Sequence, residues 1–357
     1  MTILLVRLRL IGDVVFTTPV IRALKRQYPE ARITYLVEPV AAPVVEANPH
    51  LHDVMVVPRS RGWPRIRDDW RIAQQLRARR YDLAIDLHGG PRSGWFTWMS
   101  RAPVRVGYDV PGRAWMYTHV VHRPRTLRGG HSVANQWELL GALDPVFQAS
   151  PDPSRDRVEM TPAPAAREAV AARLRRLGVP DDARVIVLHV SAGNPFRRWP
   201  ETAFSALAGG LIAGGDDRWV LLTGGPSDHD AAARVLAATR AAAGDRANRI
   251  VDAEGLTLSE LRALMDRAAL FVGGDSGPLH MAATSDVPVV GLYGPTLKER
   301  SAPWRPPSLT TISIDAGGLA CRPCDQRICE PGDFRCLSGI EAARVLDGAE
   351  RALGAAR

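Results

Sequence analysis

The feature that most constrains the fold of this chain is a repeated alternation of apolar, strand-like runs with segments of helical periodicity. The strand-like runs are ILLVRL, ARITYLV, DVMVV and YDLAIDLHG in the first half, and ARVIVLHV, RWVLLTGG, NRIVD, AALFVGGD and VPVVGLYG in the second. Helical periodicity separates them, as in residues 17–28 and 66–79. Such alternation predicts an α/β protein whose parallel sheets are covered by helices on both faces.

The length of the chain and one polar stretch predict two domains. A chain of 357 residues exceeds what a single hydrophobic core usually supports. Residues 151–170 are rich in proline and charge, which is typical of a linker, and the strand-helix alternation restarts after them. We expect Rossmann-like domains at 1–160 and 161–357 that face a cleft.

The positive charge is concentrated in the first half. Residues 1–150 hold 21 Lys and Arg against 12 Asp and Glu, although the whole chain is only +8. Within residues 58–81, eight arginines accompany two aspartates. This run is either a solvated helix face or a site for lipid head groups, nucleic acid or an acidic substrate. The chain lacks zinc-finger, helix-turn-helix and RNP signatures, so we expect no nucleic-acid partner.

The sequence also bears on the expected location. No run of about 18 apolar residues occurs, so we expect no transmembrane helix. Arg7 and Arg9 interrupt the N-terminal apolar stretch, which argues against a signal peptide and for a cytoplasmic protein.

The turn after the first strand, RLRLIGDVV, carries an unexpected carboxylate. A dinucleotide-binding turn would have three glycines, but here Gly12 stands alone and Asp13 follows it. A carboxylate repels phosphate, yet this is the end of the sheet where α/β proteins bind ligands. Asp13 therefore either caps the following helix or has a chemical role.

A second candidate site follows a strand in the second half, in GGDSGPLHMAA at 273–283. Small residues there allow close approach of a ligand, and backbone N–H groups at the start of a helix suit a phosphate. Asp275 and His280 add an acceptor and a donor. Asp275 or Ser276 as a plain helix N-cap is the alternative interpretation.

All four cysteines fall in a short segment, Cys321, Cys324, Cys329 and Cys336. Disulfides are disfavoured in a cytoplasmic chain, and one CxxC pair with two further cysteines gives four thiolates that suit a structural metal, zinc by default, although their spacing is irregular beside common zinc ribbons. Reduced thiols are the next interpretation and disulfides the last. No His–Cys arrangement points to catalysis.

Together these motifs resemble one family. RLRLIGDVVFTTPVIRAL, YDLAIDLHGGPRSGW, RRWP, LLTGGPSD, GGDSGPLHMAA with VPVVGLYGPT, and CRPCDQRIC follow the order and spacing of the ADP-heptose:lipopolysaccharide heptosyltransferases, glycosyltransferase family 9. The resemblance implies the GT-B architecture of two Rossmann-like domains with the active site between them. It also implies inverting sugar transfer from a nucleotide diphosphate without a metal ion, with donor in the C-terminal domain and acceptor in the N-terminal one.

The resemblance assigns roles to individual residues. Asp13 matches the base that takes the proton of the acceptor hydroxyl. Arg197 stands where the family has a lysine, two residues before a Trp-Pro pair, and would stabilise the leaving diphosphate. Asp275 would meet the heptose hydroxyls and the Ser276–Gly277 amides the diphosphate. The resemblance implies two further donor residues. His280 is one, with a core histidine as the alternative. Ser191 is the other, since relatives often have hydroxyl residues in this loop, which here reads SAGN.

The implied acceptor is anionic, and its contacts are less defined. The family's acceptor is the phosphorylated inner core of lipopolysaccharide at the cytoplasmic face of the inner membrane, which a basic N-terminal domain would suit. We therefore expect peripheral association with that membrane. The candidate acceptor contacts are loop arginines of this domain: Arg59, Arg61, Arg92 and Arg113.

Other functions share these features. A family-9 transferase with another nucleotide sugar or another acceptor, including a protein, fits the same motifs. A GT-B sugar-nucleotide epimerase would bind nucleotide without needing a basic acceptor domain. A non-catalytic nucleotide-sugar-binding or membrane-associated protein is disfavoured by the presence of both Asp13 and the 273–283 motif.

Overall fold

The computed structural model describes residues 1–122, 130–190 and 194–355. It divides into two compact units, Met1–Thr161 and Pro162–Arg357, called unit 1 and unit 2 below. The strands are β1 Thr2–Val6, β2 Arg32–Val37, β3 Asp53–Val56, β4 Leu83–Asp86, β5 Val104–Tyr108, β6 His119–Val121, β7 Arg184–Val190, β8 Arg218–Gly224, β9 Ile250–Asp252, β10 Leu270–Gly274, β11 Val289–Tyr293 and β12 Thr311–Asp315. The helices are α1 Ile11–Val15, α2 Thr18–Gln27, α3 Trp63–Ala78, α4 Pro91–Met99, α5 Ser132–Gly141, α6 Pro164–Arg176, α7 Glu201–Ala213, α8 His229–Ala243, α9 Leu258–Arg267, α10 Gly277–Ala282, α11 Lys298–Ser301, α12 Arg335–Ser338 and α13 Ala342–Ala355.

Unit 1 is built on one parallel sheet. Its described strands lie in the order β3-β2-β1-β4-β5-β6. The central strand β1 pairs with β2 on one side and with β4 on the other, with Val6 opposite both Leu36 and Asp86. Both faces of β1 are covered, because Ile3, Leu4 and Leu5 have no solvent exposure. This explains why β1 reads as a continuous apolar run.

Unit 2 repeats this topology. Its described strands lie in the order β12-β11-β10-β7-β8-β9, again all parallel. The first strand of the unit, β7, pairs with β8 and with β10. Its core includes Trp199, Phe204 and Leu207 as well as the buried sides of the strands.

These observations confirm the predicted α/β class with two parallel sheets. Every run predicted as a strand contains one, but the sequence analysis did not predict β5, β6 or β12. These strands lie towards the sheet edges and are only partly buried, β6 for example being mostly exposed. Partial burial leaves no continuous apolar run in the sequence to detect.

The stretch predicted as a linker is tied to unit 1 over its first part. Asp156 is fully buried and accepts a hydrogen bond from Arg26, and Glu159 accepts from Arg22 and Asn48. The chain then enters α6 in unit 2. Across the described residues, no helix is both long and apolar enough to span a bilayer.

Candidate active site

Strand order locates a candidate ligand site in each unit. A parallel sheet binds ligands beyond the carboxyl ends of its strands, where the strand order reverses direction. In unit 1 this point lies between β1 and β4, and in unit 2 between β7 and β10. The predicted residues fall there: Asp13 follows β1, Arg197 follows β7, and Asp275 directly follows β10.

In unit 1, Asp13 is held by a buried arginine. Arg7, at the end of β1, places Nη2 at 2.5 Å from Oδ2 of Asp13 and donates from Nη1 to the Leu87 carbonyl at 2.6 Å. Asp13 Oδ2 also accepts from the Leu10 backbone N–H at 3.4 Å, so the helix-capping contact exists as well. The Asp13 side chain nevertheless keeps 38% of its exposure, against 8% for Arg7. The buried Arg7 thus orients the Asp13 carboxylate, which stays accessible to solvent.

The loop after β4 is shaped by a second carboxylate, Asp86, which is fully buried. Its Oδ1 accepts from the backbone N–H groups of His88 and Gly89, both at 2.9 Å, and its Oδ2 from the hydroxyl of Tyr117 at 2.6 Å. Burial raises the pKa of Asp86, and these hydrogen bonds offset only part of that rise. Asp86 therefore fixes the loop beside Asp13 and does not face solvent.

A basic cavity of about 340 Å³ lies at the same end of the unit 1 sheet. Two of the predicted acceptor residues in its lining, Arg59 and Arg61, are exposed. Arg9 and Arg65 also line the cavity and were not predicted from the sequence as contacts, although they lie in the turn after β1 and in the arginine-rich run at 58–81. The complete lining is Leu8, Arg9, Glu38, Arg59, Ser60, Arg61, Arg65, His88, Gly90, Pro91, Arg92 and Ser93.

The other two predicted acceptor residues are engaged within unit 1. Arg92 lines the cavity, but its guanidinium binds Glu38 Oε1 at 2.9 Å, the Asp69 carboxylate, and the Pro58 carbonyl at 3.0 Å. Two carboxylates already neutralise that charge, so Arg92 supports the cavity wall. Arg113 donates to the Gly89 carbonyl at 3.3 Å and is not part of the cavity lining.

In unit 2, a buried tryptophan of the motif RRWP positions the half-buried Arg197. Trp199 is 1% exposed, packs its ring edge-on to Phe204 at 4.8 Å, and donates to the Ile340 carbonyl at 2.9 Å. Pro200 then begins α7 as its N-cap residue. With Trp199 anchored in the core, Arg197 lies at the end of a 3₁₀ turn, and its Nη1 donates to the Asp275 carbonyl at 2.6 Å.

Asp275 is held at this end of unit 2 by three neighbouring polar side chains. Its carboxylate accepts from the Thr296 hydroxyl, lies 3.3 Å from His280 Nε2 and 4.0 Å from Arg197 Nη1. Burial alone would raise the pKa of Asp275, but His280, Arg197 and Thr296 together lower it to about 2. The structure thus brings Arg197, Asp275 and His280 together, with Ser276 as the N-cap of α10, which begins at Gly277. Ser191 lies outside the described residues.

The cysteine-bearing segment supplies two further site residues that the sequence analysis missed. Gln326 accepts from Arg197 Nε at 3.0 Å through its side-chain oxygen. Arg322, which is buried, donates to the Thr296 carbonyl at 3.0 Å, next to the hydroxyl that Asp275 binds. The ring of Phe334 packs edge-on against Phe196. Gln326 and Arg197 are 129 positions apart in the sequence, so no local pattern predicts their contact.

The four cysteines themselves are free thiols, of which Cys336 is buried. Burial raises the pKa of the Cys336 thiol, and the nearby Cys324 raises it further. Within the described ranges, no three His, Cys, Asp or Glu side chains are arranged to hold a metal ion. The metal site expected at Cys321, Cys324, Cys329 and Cys336 stays a prediction.

The two sites contain the same pair of residue types with opposite exposure. In unit 1 the arginine is buried and the aspartate is open, whereas in unit 2 the Arg197 side chain keeps 33% exposure and Asp275 only 5%. Unit 1 thus presents a carboxylate to a ligand, which suits proton removal. Unit 2 presents a guanidinium, which suits a phosphate.

Comparisons with known proteins show the family of this chain. Residues 69–330 match the model of glycosyltransferase family 9 (heptosyltransferase). The chain belongs to this family. It is 30% identical over 355 residues to lipopolysaccharide heptosyltransferase 3 of Escherichia coli, covering 97% of both chains.

Solved structures of similar fold cover the whole architecture. A glycosyl transferase family 9 protein from Veillonella parvula superposes with a TM-score of 0.85 at 24% identity, over 99% of this chain and 97% of that one. The E. coli ADP-heptose lps heptosyltransferase II gives a TM-score of 0.77 at 21% identity, over 99% and 98%. These likenesses show that the two Rossmann-like units have the GT-B fold. Membership of family 9, shown by the family model and the E. coli relative, makes the protein a glycosyltransferase.

Proposed function

We propose that the protein transfers heptose from ADP-heptose to the inner core of lipopolysaccharide, with inversion at the anomeric carbon and without a catalytic metal ion. The observation that carries the proposal is the opposite exposure of the two Arg–Asp pairs, which gives a basic carboxylate in unit 1 and a phosphate-binding guanidinium in unit 2. Family membership and the E. coli relative support heptose as the sugar.

The donor binds to unit 2 in this proposal. Arg197 contacts the diphosphate, where its fixed charge does the work that a metal ion does in other transferases. Asp275, held ionised by its low pKa, accepts hydrogen bonds from heptose hydroxyls. The backbone amides of Ser276 and Gly277 bind the diphosphate, and His280 keeps the Asp275 carboxylate in place.

The acceptor binds to unit 1, and Asp13 is its base. The acceptor hydroxyl oxygen attacks the anomeric carbon, its proton passes to the Asp13 carboxylate, and the bond from that carbon to the phosphate oxygen breaks. The electron pair leaves on the diphosphate, whose growing charge Arg197 stabilises. Arg59 and Arg61 bind the phosphates of the acceptor, and Arg92 and Arg113 support the surrounding loops.

The acceptor chemistry also sets the location. A glycolipid acceptor requires the enzyme to reach the cytoplasmic face of the inner membrane, and we propose that it associates there peripherally. A structural zinc ion at the four cysteines belongs to the same proposal. Metal analysis of protein purified without chelator is expected to give about one zinc per chain. Metal-free protein of equal stability and activity would remove this element alone.

Nucleotide release tests the function directly. The protein is incubated with ADP-heptose or with other nucleotide sugars, with and without a lipopolysaccharide core acceptor, in buffer containing EDTA. We expect ADP release that depends on the acceptor and persists in EDTA, and a product with inverted anomeric configuration by NMR. Preference for another nucleotide sugar, acceptor-independent turnover, or interconversion of free sugar nucleotides would contradict the proposal.

A further inference from the structure

The outward side of α3 carries large apolar side chains that unit 1 does not bury. Trp63, Ile66 and Trp70 are 82%, 60% and 53% exposed. Their spacing of three and four residues places them on one side of the helix. The opposite side packs into the core through Ile72 and Leu76. We call the outward side, Trp63, Ile66 and Trp70 with the arginines described next, the α3 outer face.

Arginines share this side of the helix. Arg67, Arg71 and Arg77 are exposed, and helical geometry places them beside the apolar stripe. Three further arginines, Arg59, Arg61 and Arg65, lie at or just before the start of α3, and the α3 outer face is therefore continuous with a positively charged surface.

The two acidic residues of α3 offset only part of this charge, because eight arginines accompany them within residues 58–81. Asp68 is buried, accepts from the Ser60 hydroxyl at 2.6 Å, and lies 4.0 Å from Arg67 and 3.5 Å from Arg71. Asp69 binds the guanidinium of Arg92 and lies 3.7 Å from Arg65. The helix thus directs its carboxylates to the unit and its tryptophans and arginines to solvent.

This combination selects one kind of partner. A helix with exposed Trp and Ile between arginines is the pattern of an interfacial helix, in which the rings enter the head-group region and the arginines meet anionic lipids. A second copy of the chain would oppose arginine to arginine, which is repulsive. A nucleic acid would bind the arginines through its phosphates but would offer no apolar surface to the Ile66 side chain.

We propose that the α3 outer face docks unit 1 onto an anionic lipid bilayer. The inference rests on the proposed function in that a glycolipid acceptor needs an enzyme at the membrane, and it names the surface that makes the contact. Trp63 and Ile66 insert between head groups. Arg67 and Arg71 hold the helix at the surface and also make the binding sensitive to salt.

Vesicle co-sedimentation of the full chain tests this without acceptor or nucleotide. Vesicles of phosphatidylethanolamine with phosphatidylglycerol are compared with vesicles of phosphatidylcholine. We expect binding to the anionic vesicles only, weakened by salt. Trp63→Ser with Ile66→Ser, and Arg67→Gln with Arg71→Gln, should each lower the partition coefficient at least tenfold, about fivefold per arginine. Thermal melting checks that both variants fold.

A matched control and a second assay separate this inference from the proposed function. Trp115→Ser removes another tryptophan of unit 1 that is 62% exposed and is not part of α3, and it should leave binding unchanged. The α3 variants should keep wild-type transfer to a deacylated, soluble core acceptor and lose it with acceptor embedded in vesicles. Wild-type binding in the α3 variants, an equal loss in Trp115→Ser, or a wild-type protein that dimerises or binds RNA through α3 but ignores vesicles would overturn the inference. Vesicle binding without any heptose transfer would contradict the proposed function and leave the docking surface standing.

Discussion

Units 1 and 2 share one strand order and differ in what they expose where that order reverses. Each places an arginine and an aspartate beyond the carboxyl ends of its central strands. In unit 1, Arg7 is buried beneath an open Asp13, whereas in unit 2, Asp275 is buried beside an open Arg197. The fold therefore determines where a ligand binds. Whether the arginine or the aspartate of the pair is buried determines whether the site accepts a proton or binds an anion.

The largest effect on the difference between the two units is expected when Asp13 can no longer accept a proton. Asp13→Asn keeps the shape and the contact to the Leu10 N–H, but general-base loss lowers turnover on the order of 100- to 10,000-fold. We expect this loss in nucleotide-release assays at saturating substrates. Asp53→Asn is the matched control, because it also breaks an Arg–Asp pair of unit 1, the one with Arg79, and should turn over normally. Near-normal turnover of Asp13→Asn would leave this residue as a helix cap.

The reciprocal change in unit 2 is Arg197→Ala. Removing a charge-assisted contact to the diphosphate should reduce transition-state stabilisation by roughly 2–4 kcal/mol, and kcat/KM accordingly. Arg197→Lys keeps the charge without the planar fork and should retain partial activity. Arg198→Ala, which removes the adjacent exposed charge, should lower kcat/KM by less than about threefold. Unchanged kinetics in Arg197→Ala would remove Arg197 from the site.

The two units also differ in their response to acid. Burial lowers the pKa of His189 in β7 from 6.5 to about 4. Between these two pH values, His189 is therefore mostly protonated in the unfolded chain and mostly neutral in the folded chain. The free energy of unfolding should therefore fall between about pH 6.5 and pH 4, on the order of 3 kcal/mol for this group. The pKa of Asp86 in unit 1 is raised, so this group makes the free energy of unfolding rise as the pH falls.

Denaturant unfolding at pH 7 and pH 4.5 measures this difference. His189→Gln can keep a hydrogen bond to the Thr223 hydroxyl and cannot titrate, so its stability should depend less on pH than that of the wild type. Identical pH slopes for the two proteins would contradict the assignment.

A smaller effect is expected at Gln326, which aligns Arg197. Gln326→Ala removes the acceptor of Arg197 Nε and should weaken nucleoside diphosphate binding about fivefold. In the Arg197→Lys background the same change should have no further effect, because lysine has no Nε–H to donate. A double-mutant cycle measures the coupling, and simple additivity of the two effects would rule out this role.

The sequence predicted the parts of the molecule that local patterns encode. Buried strands such as β1 and β7 are continuous apolar runs, and the loops after β1, β7 and β10 contain the chemistry that the structure places at the points of reversal. Residues whose contacts are distant in sequence were not predicted. The sequence did not indicate that Glu38 and Asp69 bind the Arg92 guanidinium. Gln326 has no local pattern at all.

Titration with ADP tests the exchanged roles of the two pairs most directly. Calorimetric titration of wild type, Asp13→Asn and Arg197→Ala measures donor-side affinity without turnover. We expect wild-type affinity for Asp13→Asn and affinity at least about tenfold weaker for Arg197→Ala, because of these two side chains only Arg197 contacts the diphosphate in the proposal. Equal affinity of Arg197→Ala and wild type, or an equal loss in both variants, would contradict the account.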